Sequence, residues 1–331
     1  MSRAALAELI SLRDASARAA AGACVVSSWR ALSCASRAGA KLLRVYSATP
    51  APPGHLNFGS RGFPRVESAT SRFVERASGL ASVSDDAAVG VVALPPRLSA
   101  LDAARARACT LFLDGVSDPN NMGTLLRTAA VFNFAAVLAR GSADPFSDRA
   151  VRAGAGGQWS VPLARVSPDD GPLADASLAD VLDAAAACGS ASPSAQKPPR
   201  ALHVTLLADA RAETEASDVA SALSSIRARG RAIAVAIVLG NEARGLSASW
   251  PDRDDMQLLE MLALDAQKCE AAAACMRLVV RVRIGPRAAR IESLNVAAAG
   301  AILMHSMSAA ARMRRSKGES LRESCLISAQ E

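Results

Sequence analysis

The chain has 331 residues, enough for two modest domains, and carries a net charge of +7. Half of it is apolar but only 3% is aromatic, so its core must be built from Ala, Val, Leu and Ile. No apolar run reaches the ~18 residues of a transmembrane helix, and seven Cys without a C-x-x-C pair and three scattered His argue against a zinc site or a disulfide framework.

The charge is concentrated. Residues 1–100 hold 12 Lys/Arg against 6 Asp/Glu, and the remainder holds 26 against 25. A basic N-terminal third points to a polyanion such as nucleic acid, with a solvated Arg-rich surface as the plain alternative. The first 50 residues are also Ser/Ala-rich and poor in acids, which resembles an organellar transit peptide; a folded domain is the preferred reading. Residues 49–64 read as a Pro/Gly loop, and "VGVVALPP" (89–96) as a strand ending at a double proline. A domain boundary is expected near 97–107.

Beyond it, apolar strands alternate with helices. "CTLFLDGV" (109–116), "AAVLA" (135–139), "ALHVTLLA" (201–208) and "AIAVAIVLG" (232–240) are predicted strands, and "MGTLLRTAAVFN" (122–133) a helix. Such alternation predicts a mostly parallel sheet. Residues 167–200 read as an insertion or loop, 248–281 as a second extra stretch with a helix in it, and 293–312 as the last helix before a polar tail, 313–331.

Three strand–loop–helix junctions carry candidate chemistry. In "DGVSDPNNMGTLLRTAA" (114–130), Asn120 or Asn121 is expected to cap a helix, Gly123 to allow close backbone approach, and Arg127 to lie one turn in, facing the same mouth. In "VLGNEARGLS" (238–247), a strand stops at Gly240 with Asn241 and Glu242 at its carboxyl end, where open α/β sheets bind ligands; Gly245 permits a turn. In "IESLNVAAAGAILMH" (291–305), Ser293 is placed to cap a helix, Asn295 offers an amide in its first turn, and Ala297 to Ala301 allow tight packing. Each alone has a structural explanation: capping, a polar turn, a helix contact. A dinucleotide oxidoreductase would need G-x-G-x-x-G, and "GAGGQW" (154–159) has Trp159 at the third glycine.

In this order the three segments resemble motifs 1, 2 and 3 of the SpoU/TrmH branch of the SPOUT methyltransferases, over residues 109–312. "SADPFSDRAVRAGAGG" (142–157) resembles the family's linking segment, with Gly154 in place of the usual Ser. Asn133 replaces a Gly after motif 1, and Ile284-Gly285-Pro286 replaces Ile-Pro-Met before motif 3. The resemblance implies an α/β chain: a SPOUT-type knotted parallel-sheet domain (101–312), preceded by a small α+β substrate-binding domain (1–100). It implies a homodimer with an active site shared between subunits, and S-adenosylmethionine bound in the knot. The implied activity is methyl transfer to a ribose 2′-hydroxyl of RNA, ribosomal RNA in preference to transfer RNA, without a metal and without a membrane. The implied catalytic set is Asn121, Arg127, Glu242, Ser293 and Asn295, and the cofactor set is Gly240, Ile284 and Leu294. An inactive knotted RNA-binding or assembly protein is the alternative, and a base methylase of another SPOUT branch is a weaker one. The expected location is intracellular, organellar or cytoplasmic.

Overall fold

The computed structural model describes residues 3–49, 51–58, 63–79, 87–139, 141–166, 180–182, 202–231, 233–265, 277–284 and 294–311. Two sheets organise them. The first is built from β1 (Ala23–Ser27), β2 (Leu42–Ser47), β3 (Val66–Ser68) and β4 (Ala88–Ala93), in the order β1-β4-β2-β3. β4 runs antiparallel to both β1 and β2, and β3 is parallel to β2.

Its period-2 alternation sends side chains to two faces. Val25, Tyr46, Val89 and Val91 pack with Leu9, Phe73 and Val74 from α1 (Arg3–Ser11) and α4 (Ser71–Ser78). Cys24, Val26, Val45 and Val92 pack on the opposite face with Trp29 and Leu32 of α3 (Trp29–Arg37). Between α1 and β1, α2 (Ala15–Ala21) starts at Asp14, whose carboxylate accepts from the amides of Ser16 and Ala17. This is the usual device for satisfying free amides at a helix start.

The second sheet has six strands, all parallel, in the order β10-β8-β9-β5-β6-β7. They are β5 (Cys109–Asp114), β6 (Ala135–Leu138), β7 (Leu163–Arg165), β8 (Leu202–Ala208), β9 (Ile233–Gly240) and β10 (Arg277–Val282). One face carries Leu111, Leu113, Val235, Ile237 and Leu239. It is covered by α6 (Pro119–Phe132), α9 (Ala216–Ala228), α10 (Met256–Leu264) and α11 (Val296–Ala311). The other face carries Phe112, Val137, Ala236 and Val238, covered by α5 (Ala100–Arg105), Trp250 and Val181. The 97–107 stretch thus contributes a helix to the second sheet.

The chain leaves β5 in one direction to build β6 and β7, and in the other to build β9, β8 and β10. β5 and β9 therefore flank the switch point of the sheet, where open parallel sheets bind ligands. Their register places Asp114 beside Gly240, so the loops after the two strands emerge side by side.

One expectation changes. The 248–281 stretch holds helix α10 but ends in a sheet strand, β10, paired with β8. Most of 167–200, residues 285–293 between β10 and α11, and the 313–331 tail lie outside the described residues. Among the described residues no helix is long and apolar enough to cross a membrane.

The two sheets meet through α7 (Asp148–Gly154) and α8 (Gly157–Ser160). Val151 of α7 is buried in the Trp29–Leu32 cluster of the first sheet. Trp159 Nε1 donates to the Ala93 carbonyl at 2.8 Å. Gly156 has φ +89°, and a Cβ there would stand 2.6 Å from the Cys34 oxygen. The guanidinium of Arg18, buried at 5% exposure, pairs with Asp144. On its other side α7 lies against α6: a Cβ on Gly123 would meet the Ala150 oxygen at 2.2 Å.

Candidate active site

Motif 1 turns out of β5 at Gly115, φ +80°, and enters α6 at Pro119. The helix is capped by Asp118, whose Oδ1 accepts from the Asn120 amide at 2.8 Å, and not by Asn120 or Asn121. Proline at the first helical position loses no bond there and presets φ. Asn121 is thereby free of capping duty and buried at 9% exposure. The helix ends at Asn133, in the left-handed conformation at φ 63°, as expected for a Gly substitute.

Motif 2 is a tight loop closed on itself. Asn241 and Gly245 exchange backbone hydrogen bonds at 2.8 and 2.9 Å, and Gly245 has φ +71°. A Cβ on Gly240 would lie 2.3 Å from the carbonyl carbon of Gly245, so only glycine fits beneath the loop. Asn241 Oδ1 accepts from the amides of Ala243 and Arg244, and its Nδ2 donates to the Gly115 carbonyl at 2.8 Å. Asp114, at the end of β5, accepts from the Ser247 amide and from Trp250 Nε1, each at 2.8 Å. Two cross-ties therefore fix motif 2 against motif 1.

Glu242 is aimed at the motif 1 turn. Its Oε2 accepts from the Ser117 amide and hydroxyl at 3.2 and 3.0 Å, and its Oε1 from Asn121 Nδ2 at 3.1 Å. Partial burial pushes the carboxyl up. The Glu242 amide, the Asn121 side chain and the amide and hydroxyl of Ser117 together outweigh that effect, so it sits below the ordinary Glu value. It is an ionised acceptor at neutral pH.

Motif 3 supplies Asn295. It stands at the cap of α11 and not in its first turn, because its Oδ1 accepts from the Ala297 and Ala298 amides at 2.9 and 3.4 Å. Its Nδ2 donates to Asn121 Oδ1 at 3.1 Å. A Cβ on Gly300 would meet Leu125 at 2.4 Å and Leu239 at 2.7 Å, so α11 rests directly on α6 and β9.

The three motifs thus meet in one relay, Asn295 to Asn121 to Glu242. Its direction is forced from both ends. Backbone amides can only donate, so Asn295 must offer Nδ2 to Asn121. A carboxylate can only accept, so Asn121 must offer Nδ2 to Glu242. Each amide group retains a second N–H without a partner among the described residues.

The remaining expected residues are placed differently. Arg127 is exposed, at the ninth position of α6 and more than two turns from its start, not one. It makes no hydrogen bond or ion pair among the described residues. Ile284 is half-buried against the main core, just past β10, and Leu294 is 49% exposed beside Asn295. Ser293 lies outside the described residues. Sequence reasoning missed Ser117 and Asp114; the polar S-D-P run after β5 was the available signal. Gly154 is explained by Gln158: a Cβ there would fall 2.4 Å from the fully buried Gln158 amide, which donates to the Pro145 and Ala150 carbonyls. Among the described residues no group of three or more His, Cys, Asp or Glu could hold a metal.

Residues 108–261 match the SpoU rRNA Methylase family model. Over that stretch, a little under half of the chain, it is similar to the SpoU methylases. The SpoU match contains motifs 1 and 2 and stops short of motif 3, which the Asn295–Asn121 bond ties to them. Among curated relatives, the 23S rRNA (guanosine(2553)-2'-O)-methyltransferase RlmP of Bacillus subtilis strain 168 is 39% identical over 56 residues. That is 17% of this chain and 23% of the relative's length. Solved SpoU-type structures match nearly end to end. The SpoU methyltransferase AviRb from Streptomyces viridochromogenes, in complex with AdoMet, has a TM-score of 0.60 at 19% identity, over 93% of this chain and 98% of that one. An AdoMet-bound rRNA methyltransferase from Sinorhizobium meliloti has a TM-score of 0.57 at 18% identity, over 92% and 94%. At these identities the likeness shows the SpoU fold.

Proposed function

We propose that this protein transfers a methyl group from S-adenosylmethionine to a ribose 2′-hydroxyl of RNA, ribosomal RNA foremost. The observation that carries the reading is the Asn295–Asn121–Glu242 relay. It gathers one residue from each SpoU motif at the switch point of the parallel sheet.

The residues present fit the cofactor. Leu294 offers an open apolar wall next to amide N–H groups, and Gly240 lets the adjoining motif 2 loop fold tightly over the end of β9. Gly240, Ile284 and Leu294 would hold it, largely through backbone atoms and apolar contact. Bound there, S-adenosylmethionine supplies an electrophilic methyl group on a sulfonium.

The chain's own residues must orient a weakly nucleophilic hydroxyl and ease loss of its proton. Glu242 fixes Asn121, and Asn121 fixes Asn295, so their spare N–H groups are presented without reorganisation. Arg127 acts on the neighbouring phosphate with its planar fork. A guanidinium stays protonated, so it polarises the hydroxyl and is not the base. Ser293 joins this set from motif 3. The working assembly is a homodimer, a reading supported by the exposure of Val131 (69%) on α6 and Ile302 (42%) on α11.

The deciding experiment incubates the protein with labelled S-adenosylmethionine and RNA, then maps 2′-O-methyl positions. Label at a ribose of ribosomal RNA is the expected result. Label on a base, or binding of cofactor without turnover on any RNA, would overturn the reading.

A further inference from the structure

A cavity of about 310 Å³ opens at the junction of the two sheets. Its walls come from both: Arg13 and Gly79 from the first unit, Phe146 and Arg149 from the α7 region, and Pro119 from the start of α6. Pro119 is two residues before Asn121, about 3 Å along the helix axis. The cavity therefore adjoins the relay from the side of the small domain.

Its charges do not cancel. Asp148 is paired with Arg152 at 2.8 Å, and Arg18 with Asp144. That leaves Arg13 and Arg149. Arg13 is anchored through Nη2, which donates to the carbonyls of Arg76 and Ala77 at the end of α4. It lies over Gly79, where a Cβ would stand 2.9 Å from its Cζ. Its Nε and Nη1 hydrogens have no partner among the described residues. Arg149 is exposed and makes no bond or ion pair among them either.

The polar groups nearby are already committed. Ser78 and Ser147 donate to the Glu75 and Asp144 carbonyls. The cavity thus offers two guanidinium forks over an apolar floor of Leu12, Val25 and Phe146, with no hydroxyl left to read a base edge. That is the chemistry of backbone positioning and not of sequence readout. Its volume is at the small end of ligand pockets and suits a single nucleotide.

We propose that this junction cavity seats the RNA phosphodiester backbone next to the modified nucleotide, with Arg13 and Arg149 as its phosphate ligands. The inference rests on the proposed function for its ligand class. It makes the small domain and the α7 segment two jaws of one RNA grip, held at a fixed spacing by Arg18–Asp144 and Trp159–Ala93.

The test uses the full chain. RNA affinity is measured across a potassium chloride series for wild type, Arg149→Gln and Arg149→Glu, alongside S-adenosylmethionine affinity. Arg149→Gln is expected to weaken RNA binding about tenfold at low salt. It should also lower the slope of log affinity against log salt by about one. Arg149→Glu should go further in both, and cofactor affinity should stay unchanged. RNA affinity and slope equal to wild type in both variants would overturn the inference. So would saturable binding of AMP or inorganic phosphate that Arg149→Glu abolishes while RNA affinity is untouched, which gives the cavity to a free phosphate compound. The two readings fail separately. A wild type that methylates RNA while the Arg149 variants bind it normally sinks only the cavity. Loss of RNA binding in those variants, with no methyl transfer by wild type, sinks only the reaction.

Discussion

The start and the middle of α6 carry two residues of the same motif in opposite circumstances. Asn121 is buried, with both ends of its amide assigned by partners on other motifs. Arg127 lies about 9 Å further along the axis and about a third of a turn around, exposed and without a partner among the described residues. One is preorganised by the fold. The other is left free by the fold, its geometry unset by any neighbour among the described residues. A motif read as a string joins them, and the helix separates them.

The largest effect should come from the unpartnered residue. Arg127→Ala is expected to cut single-turnover methylation by roughly two to four powers of ten with cofactor affinity little changed. Arg127→Lys should fail nearly as badly, since a point charge does not reproduce the fork. A lysine variant at near-normal rate would erase the contrast by making Arg127 an ordinary surface residue.

The next change attacks the scaffold that holds both residues. Gly123→Val would drive a branched side chain into the Ala150 carbonyl and force α6 off α7. We expect a loss of about 3 kcal/mol or more in denaturant unfolding, as overpacking with a backbone shift costs. An unchanged midpoint would show that the α6–α7 contact yields easily.

Asn121→Ala tests the relay from within. It strands the Asn295 amide and removes one of the Glu242 donors, for an expected loss of about 1–3 kcal/mol. Paired with Asn295→Ala in a double-mutant cycle, it should show coupling of about 0.5 kcal/mol or more. Strict additivity would mean the two amides are merely neighbours.

The smallest effect is in pH. Glu242 is held below its ordinary value of 4.5, so its contribution to stability is present above that value and fades as pH falls through the lower folded one. Glu242→Gln should flatten the acid limb of the stability curve by lowering neutral stability towards the acid value, with little change at the acid end. An acid limb identical to wild type would show that the carboxylate bonds carry no net stabilisation.

Much of the fold was readable because parallel strands buried on both faces are near-continuous apolar runs. β5, β6, β8 and β9 are such runs, and Gly123, Gly245 and Asn133 behave as their chemistry requires. β10 was hidden because Arg277 and Arg281 interrupt it. Arg281 is tolerated at 3.1 Å from both Asp209 and Asp252, partners far away in sequence. The helix caps were misjudged by two or three residues in motifs 1 and 3, where several Ser, Asn and Asp compete and only the three-dimensional path picks one. The need for glycine at 154 comes from Gln158, four residues on, and no local rule reveals it. The site's membership was legible as motifs, while the bonding order among Asn121, Glu242 and Asn295 depends on strand order and register.

The chain has three tryptophans. Trp29 is buried within the first sheet's core and Trp250 within the second's. Trp159, half-buried, spans the junction, with its indole N–H on Ala93 and its ring 5.8 Å from Phe146. Any opening of one sheet against the other exchanges that carbonyl for water, which shifts indole emission to the red. A Trp29→Phe, Trp250→Phe variant would therefore carry a single built-in fluorophore that reports, without a label, whether this junction stays closed.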